Sequence, residues 1–211
     1  MDALILAAGL GSRMEDLTKD TPKPLLTINN KALISYALDI VIKLPFDNIY
    51  VNTHYQSEQL TQYLKDQYPQ ILTSYENTIL GTGGGIKNIQ KQDLFVMNTD
   101  NLWQASFIGE IKNAMQHFII HEEIANLLLV NSHSSNNDLE LHDNKIIFPS
   151  QQKNTKFQGC HFLRHNSLDG YPEIFDIPLY WKDCSIKQQL YGFETTTNNP
   201  HIGTKDLYLQ Y

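Results

Sequence analysis

Ala3-Leu4-Ile5-Leu6-Ala7-Ala8 runs straight into Gly9-Leu10-Gly11-Ser12-Arg13. Apolar residues in an unbroken row, rather than alternating with polar ones, suit a strand covered on both faces, the habit of parallel sheets. The glycines end the strand, and a polar loop follows to about Thr27. The same punctuation then recurs. Leu33, Tyr36, Ala37, Ile40, Val41 and Leu44 lie at helical spacing, and Asn48-Ile49-Tyr50-Val51-Asn52 reads as a second strand. Ser57 is placed to N-cap a helix carrying Leu60, Tyr63 and Leu64. Ile71 to Tyr75 reads as a strand, Gly81 to Gly85 as a glycine loop before a short helix, and Leu94 to Met97 as a buried strand ending at Asn98-Thr99-Asp100. Phe107, Ile108, Ile111, Met115, Phe118 and Ile119 share a helical face, and Ala125 to Val130 is the next strand. Strand and helix alternate through the first 130 residues, the signature of an open α/β sheet.

Beyond residue 135 the texture changes. Leu139-Glu140-Leu141, a turn at Asp143-Asn144, and Lys145 to Phe148 form a predicted hairpin. A strand over Phe157 to Leu163, a weak helix and a last strand near Tyr191 to Thr195 follow. This third of the chain is expected to add antiparallel strands to the same sheet.

Length and composition bound the function. The 211 residues suit one domain, and a chain of this size buries about 70% of its unfolded surface. Apolar residues make up 41% and charged residues only 18%, with 18 Asn and 15 Gln supplying polarity. The net charge of -7 denies the basic field that nucleic acid needs. Cys160 and Cys184 have neither CxxC nor metal spacing, which fits reduced, buried thiols. An acid at the second position argues against a secretory leader. No apolar run reaches the ~18 residues of a membrane helix. The expectation is a cytoplasmic protein with neither nucleic acid nor membrane as partner.

In open α/β sheets ligands bind beyond the carboxyl ends of the strands, and the polar motifs fall on those ends. Glycines let backbone N–H groups approach phosphate oxygens, and Arg13 adds a planar charge suited to phosphate. Lys23 sits between Pro22 and Pro24, so its ammonium is held where it can be aimed. The loop lacks the third glycine of G-x-G-x-x-G and the GK[ST] of a Walker A loop. Asp100, at a strand end, is placed either to hold a hard cation or to cap the following helix. His54 reads as structural, and Trp103 and Trp181 as packing residues. Glu76 reads as an exposed loop acid or as a contact to an acceptor.

Leu6-Ala7-Ala8-Gly9-Leu10-Gly11-Ser12-Arg13-Met14 followed by Thr21-Pro22-Lys23-Pro24-Leu25 resembles the signature of the sugar-1-phosphate nucleotidylyltransferases. Leu80-Gly81-Thr82-Gly83-Gly84 and Asn98-Thr99-Asp100 extend the resemblance through the first half of the chain. The short length, the triple glycine, Leu127 to Asn131 and Ile202-Gly203-Thr204 look most like the N-acetylmuramate-1-phosphate uridylyltransferases within that family. The resemblance implies a Rossmann-like three-layer α/β sandwich with a mixed, mostly parallel sheet. It forms one domain over 1–211, with nucleotide bound by 1–130 and the sugar by the sheet-completing 131–211. It implies transfer of a nucleotidyl group from a nucleoside triphosphate, UTP favoured, to a sugar 1-phosphate, with pyrophosphate released. Arg13 and Lys23 would act on the phosphates. Ala8, Gly9, Gly11, Ser12, Gly83 and Gly84 would hold the nucleotide, Glu76 and Asn131 the sugar, and Asp100 would bind Mg2+.

One departure stands out. The family carries an acid before Ile/Val-Gly-Thr as a second metal ligand, and here His201 takes that place. Imidazole suits transition metals better than Mg2+. Three expectations therefore stand together: weaker Mg2+ affinity, a preference for Mn2+ or Co2+, or a nucleotide-binding protein without turnover. Mannose 1-phosphate with GTP and phosphocholine with CTP are alternative substrate pairs, and the chain is expected to be a monomer or homodimer.

Overall fold

A computed structural model describes all residues, 1–211. The chain begins with β1 (Asp2–Leu6), two 3-10 stretches over Ser12–Thr18 and Lys23–Leu25, and the small hairpin β2 (Thr27–Ile28) and β3 (Lys31–Ala32). Next come α1 (Leu33–Val41), β4 (Ile49–Thr53), α2 (Ser57–Gln67), β5 (Leu72–Tyr75), α3 (Gly81–Ile89) and β6 (Leu94–Asn98). Then follow α4 (Phe107–Ile120), β7 (Asn126–Asn131), β8 (Glu140–His142), β9 (Lys145–Ile147) and β10 (Lys156–Leu163). The last elements are α5 (Pro178–Ile186), β11 (Leu190–Glu194) and α6 (Lys205–Tyr208).

One nine-stranded sheet runs β5-β4-β1-β6-β10-β7-β11-β9-β8. The strands β5, β4, β1 and β6 are mutually parallel. Strand residues alternate between two buried faces. Ala3, Ile5, Phe95, Met97, Leu127 and Leu129 join a core with α1, α2 and α4. Leu4, Leu94, Val96, Leu128 and Val130 join another with α3 and α5. Both faces are covered, which is why these strands read as continuous apolar runs and why the architecture is the expected three-layer sandwich. Trp103 and Trp181 are both buried in these cores.

The C-terminal third corrects one expectation. β10 does run antiparallel, but it is inserted between β6 and β7 rather than added outside them. β11 is parallel to β7. The hairpin β8–β9 forms as expected, with Asp143 and Asn144 both at positive φ.

Two local readings are also corrected. Ser57 begins α2 instead of capping it: Gln56, in the left-handed region, precedes the helix and no side chain caps it. The glycine run Gly81–Gly85 is helical, the first turns of α3. It needs glycine because other parts of the chain lie against it. A Cβ on Gly83 would stand 2.3 Å from the Phe175 ring, and one on Gly84 2.2 Å from the Glu173 carbonyl oxygen.

Candidate active site

The chain passes from β1 out to β4 and β5, then returns across β1 to β6. Strand order therefore reverses between β1 and β6, the place where open α/β sheets leave a crevice. A cleft of about 420 Å³ opens there. Its residues come from the turn after β1 (Ala7, Ala8, Gly9, Gly11, Ser12 and Arg13), Lys23, the end of β6 (Asn98, Thr99 and Asp100), the start of α3 (Gly81 and Thr82), Asp176 and Gly203.

The turn after β1 is pinned from below. Ala7 N–H donates to Asn52 Oδ1 at 2.7 Å, and Asn52 Nδ2 donates to Glu76 Oε1 at 2.7 Å. The other Glu76 oxygen accepts from Leu80 N–H at 3.1 Å. Asn52 and Glu76 are both 3% exposed, so burial strengthens this relay and makes each member costly to lose. His54 Nδ1 lies 2.8 Å from the Glu76 carbonyl oxygen, a structural contact as expected.

Past Ala7 the backbone changes character. The N–H groups of Ala8, Gly9, Leu10 and Gly11 bond to nothing else in the protein. A Cβ on Gly9 would meet no atom within 4 Å, so protein packing does not require glycine there. Gly11 does have a packing reason: its φ is +68°, and Lys23 Cβ and Thr18 Cγ2 crowd its missing side chain at 3.0 Å. Met14, fully buried with Leu26, Ile28, Leu33 and Ile202, nails the following 3-10 stretch down. Arg13 is left exposed at the cleft. The result is a fixed turn presenting free amides and a guanidinium, an arrangement that attracts phosphate.

Lys23 and Asp100 form the polar centre. Lys23 Nζ lies 2.7 Å from Asp100 Oδ2, with side-chain exposures of 12% and 16%. His201 Nε2 lies 3.2 Å from the same oxygen. Burial disfavours the Asp100 carboxylate, but the His201 hydrogen bond and the Lys23 charge outweigh it and hold the carboxyl well below the usual carboxylate range. Asp100 is therefore an anion aimed into the cleft.

Most of the expected residues gather here: Ala8, Gly9, Gly11, Ser12, Arg13, Lys23, Glu76 and Asp100 line the cleft, and His201 touches Asp100. Glu76 is buried and bonded to its neighbours rather than being an exposed loop acid. Gly83 and Gly84 do not face the cleft; both N–H groups donate to the Phe175 carbonyl, at 2.9 and 3.0 Å, beneath the segment that covers α3. Asn131 is also left out. It is buried at the end of β7, where its Oδ1 accepts from His133 N–H at 2.8 Å. Asp176 was missed. Its Oδ1 accepts from Thr82 N–H at 3.1 Å and Oγ1 at 3.4 Å, capping the first turn of α3. Nothing near Asp176 in the chain signals a partner 94 residues away.

The sequence profile described as nucleotidyl transferase matches residues 2–138. The chain belongs to the nucleotidyl transferase family. Over 95% of its length it is 32% identical to the N-acetylmuramate alpha-1-phosphate uridylyltransferase of Caulobacter vibrioides, covering 91% of that protein. It is also 33% identical over 49% of its length to the D-glycero-alpha-D-manno-heptose 1-phosphate guanylyltransferase of Campylobacter jejuni, again covering 49% of that protein. Among solved structures, a putative glucose-1-phosphate thymidylyltransferase from Bacillus anthracis superposes with a TM-score of 0.80 at 17% identity, covering all of this chain and 93% of that one. HddC from Yersinia pseudotuberculosis, complexed with GMP-PN, does so at 0.74 and 21%, covering 99% and 96%. These two likenesses show the fold. The protein is thus a sugar-1-phosphate nucleotidyltransferase by family, built on a mixed α/β sheet. No helix of this nucleotidyltransferase is long and apolar enough to cross a membrane.

Proposed function

We propose that the cleft joins the nucleoside monophosphate of UTP to N-acetylmuramate 1-phosphate. An oxygen of the sugar phosphate attacks the α-phosphorus, the bond to the β-phosphate oxygen breaks, and pyrophosphate leaves. The observation that carries this reading is the row of amides from Ala8 to Gly11 that bond to nothing in the protein, in a turn whose Ala8, Gly9 and Gly11 line the cleft together with Lys23 and Asp100. Preference for this substrate pair rests on the likeness to the Caulobacter vibrioides uridylyltransferase, which extends over nearly the whole of both chains.

Phosphoryl transfer asks the protein for positioning and charge, with little covalent work. The amides of Ala8, Gly9 and Gly11 take phosphate oxygens and fix the triphosphate along the turn. Arg13, exposed at the cleft, closes on the outer phosphates as a planar donor fork. Lys23, braced by Pro22 and Pro24 and held by Asp100, meets the charge that grows on the departing pyrophosphate. Asn52 and Glu76 keep the turn from shifting while the phosphates bind.

The residues fit a divalent cation in part. Asp100 offers one ionised carboxylate, and Mg2+ commonly takes one or two carboxylates with substrate phosphates and water. Asp100, with His201 beside it, is the side chain that would hold the ion, and a cation there would neutralise phosphate charge. The test is a matrix of triphosphates (UTP, GTP, CTP and ATP) against N-acetylmuramate, glucose and mannose 1-phosphates and phosphocholine, scored by pyrophosphate release. UTP with N-acetylmuramate 1-phosphate should lead. A different leading pair would replace these substrates while keeping the reaction.

A further inference from the structure

The segment from Arg13 to Lys23 carries at its two ends the cations expected to meet phosphate, and it is tied down from two sides. On one side the ties are neutral. Tyr55 Oη donates to the Thr18 carbonyl at 2.9 Å, Gln56 Nε2 to the Lys19 carbonyl at 2.9 Å and Gln59 Nε2 to the Asp20 carbonyl at 3.1 Å. On the other side lies the end of the chain. Ile202 shares a buried cluster with Met14, and Tyr208 Oη donates to the Thr27 carbonyl at 2.8 Å. Between them, at the start of α6, Lys205 Nζ reaches Glu15 Oε2 at 3.3 Å and also pairs with Asp16 Oδ1. Thr204 Oγ1 accepts from Leu207 N–H at 3.4 Å, so the lysine sits on a capped turn.

Glu15 is the strained point of the segment. Its φ of 55° and ψ of -125° break the 3-10 stretch in two, in a region that glycine enters freely and other residues rarely. Such a conformation persists only where its surroundings over-determine it. The kink sets the direction of Arg13 relative to Thr18. It also reaches the amide turn, because the Thr18 hydroxyl is shared between the Glu15 carbonyl at 3.2 Å and the Gly11 carbonyl at 3.3 Å.

The second consequence is electrostatic. Glu15 and Asp16 are the carboxylates nearest to Arg13 along the chain, and a guanidinium pairs well with a carboxylate. Both turn to Lys205 instead, and Arg13 keeps its charge unpaired at the cleft. An exposed ion pair contributes little to stability, so the effect of Lys205 belongs to phosphate binding rather than to melting.

We propose that Lys205 is a positioning residue for the triphosphate: it holds Glu15 and Asp16 away from Arg13 and maintains the Glu15 kink, so that the guanidinium and the amide turn stay open to phosphate. The proposal rests on the phosphate-binding reading of the cleft.

Calorimetric titration of the full chain with inorganic tripolyphosphate and Mg2+ tests it, because that probe is indifferent to base choice. Lys205→Ala should bind about five-fold more weakly than wild type, the upper scale of an exposed ion pair, and Lys205→Arg should recover most of the loss. The Lys205 side chain is 29% exposed, and Lys205→Gln serves if the alanine variant does not fold. In an Arg13→Ala background, Lys205→Ala should cost less than about two-fold, since the two residues act through one another. Adding Glu15→Gly and Asp16→Asn to Lys205→Ala should restore most of the affinity, because glycine keeps the kink without a tether and neither carboxylate is left to capture Arg13. In turnover with the leading substrate pair, Lys205→Ala should raise the KM for the triphosphate and leave kcat and the KM for the acceptor within about two-fold. Equal affinity in wild type and Lys205→Ala would overturn the proposal. So would an undiminished loss in the Arg13→Ala background, or a triple variant as weak as Lys205→Ala, because the lysine would then act by its own charge. In each of those cases uptake by wild type leaves the phosphate-binding reading standing, whereas no uptake by wild type defeats that reading and the proposal with it.

Discussion

Lys23 and Asp100, 77 residues apart in the chain, meet at 2.7 Å in the cleft between β1 and β6. The prolines on either side of Lys23 and the end of β6 bring them together, and the shared oxygen also receives His201. The site's charge is thus arranged before any substrate arrives.

Lys23→Ala removes an aimed charge. Loss of such a preorganised group typically costs about 2–4 kcal/mol of transition-state stabilisation, so kcat should fall roughly 30- to 900-fold. Steady-state pyrophosphate release measures it, and unchanged turnover would take Lys23 out of the chemistry.

Asp100→Asn should abolish cation-dependent turnover while the protein still melts cooperatively. It should also change the response to acid. The folded carboxyl is held below its unfolded value, so its stabilisation is complete above about pH 3.9 and disappears as pH falls toward the folded value. The stability gap between wild type and Asp100→Asn should therefore be constant near neutrality and narrow below about pH 4. Urea titrations at stepped pH would show this, and a gap that widened in acid would contradict it.

Gly9 and Gly84 should behave oppositely when changed to alanine. A Cβ on Gly9 meets nothing within 4 Å, so Gly9→Ala should leave the denaturation midpoint unchanged and weaken triphosphate binding about ten-fold or more by blocking backbone approach. A Cβ on Gly84 lies 2.2 Å from a backbone oxygen, and overpacking of that kind costs about 1–3 kcal/mol. It should outweigh the gain of about 1 kcal/mol that alanine brings to an ordinary helix. Denaturation and calorimetry on both variants decide the matter; a stabilised Gly84→Ala would show that the cover over α3 yields.

Asp176→Ala removes the carboxylate that caps α3 through Thr82. Lost caps cost about 1 kcal/mol, so the melting midpoint should fall by a few degrees. Because Asp176 and Thr82 also line the cleft, triphosphate affinity should change too. No shift in the melting midpoint would refute the capping role.

The fold's first 130 residues are legible because burial on both faces writes strands as unbroken apolar runs, as in Ala3 to Leu6 and Leu94 to Met97. β10 and β11 are not legible in the same way. Which strand they join, and in which direction, depends on partners such as Met97 for Cys160 and Asn126 for Leu190, far away in the chain. The site divides along the same line. Gly9 to Arg13 and Lys23 announce themselves because special backbone and fixed charge are local properties. Gly83 and Gly84 are as conspicuous, yet the cause is the segment over Glu173 and Phe175 lying on α3, which no local pattern reveals. Glu76 and Asp176 follow suit: burial in one and the capped amide in the other come from chain that arrives later.

The most direct test of the account is calorimetric titration of the protein with UTP, GTP, CTP and ATP in the presence of Mg2+ or Mn2+. At least one triphosphate, UTP first, should bind at one site per chain, with affinity cut by Lys23→Ala and by Gly9→Ala. Failure of all four to bind with either cation would contradict it.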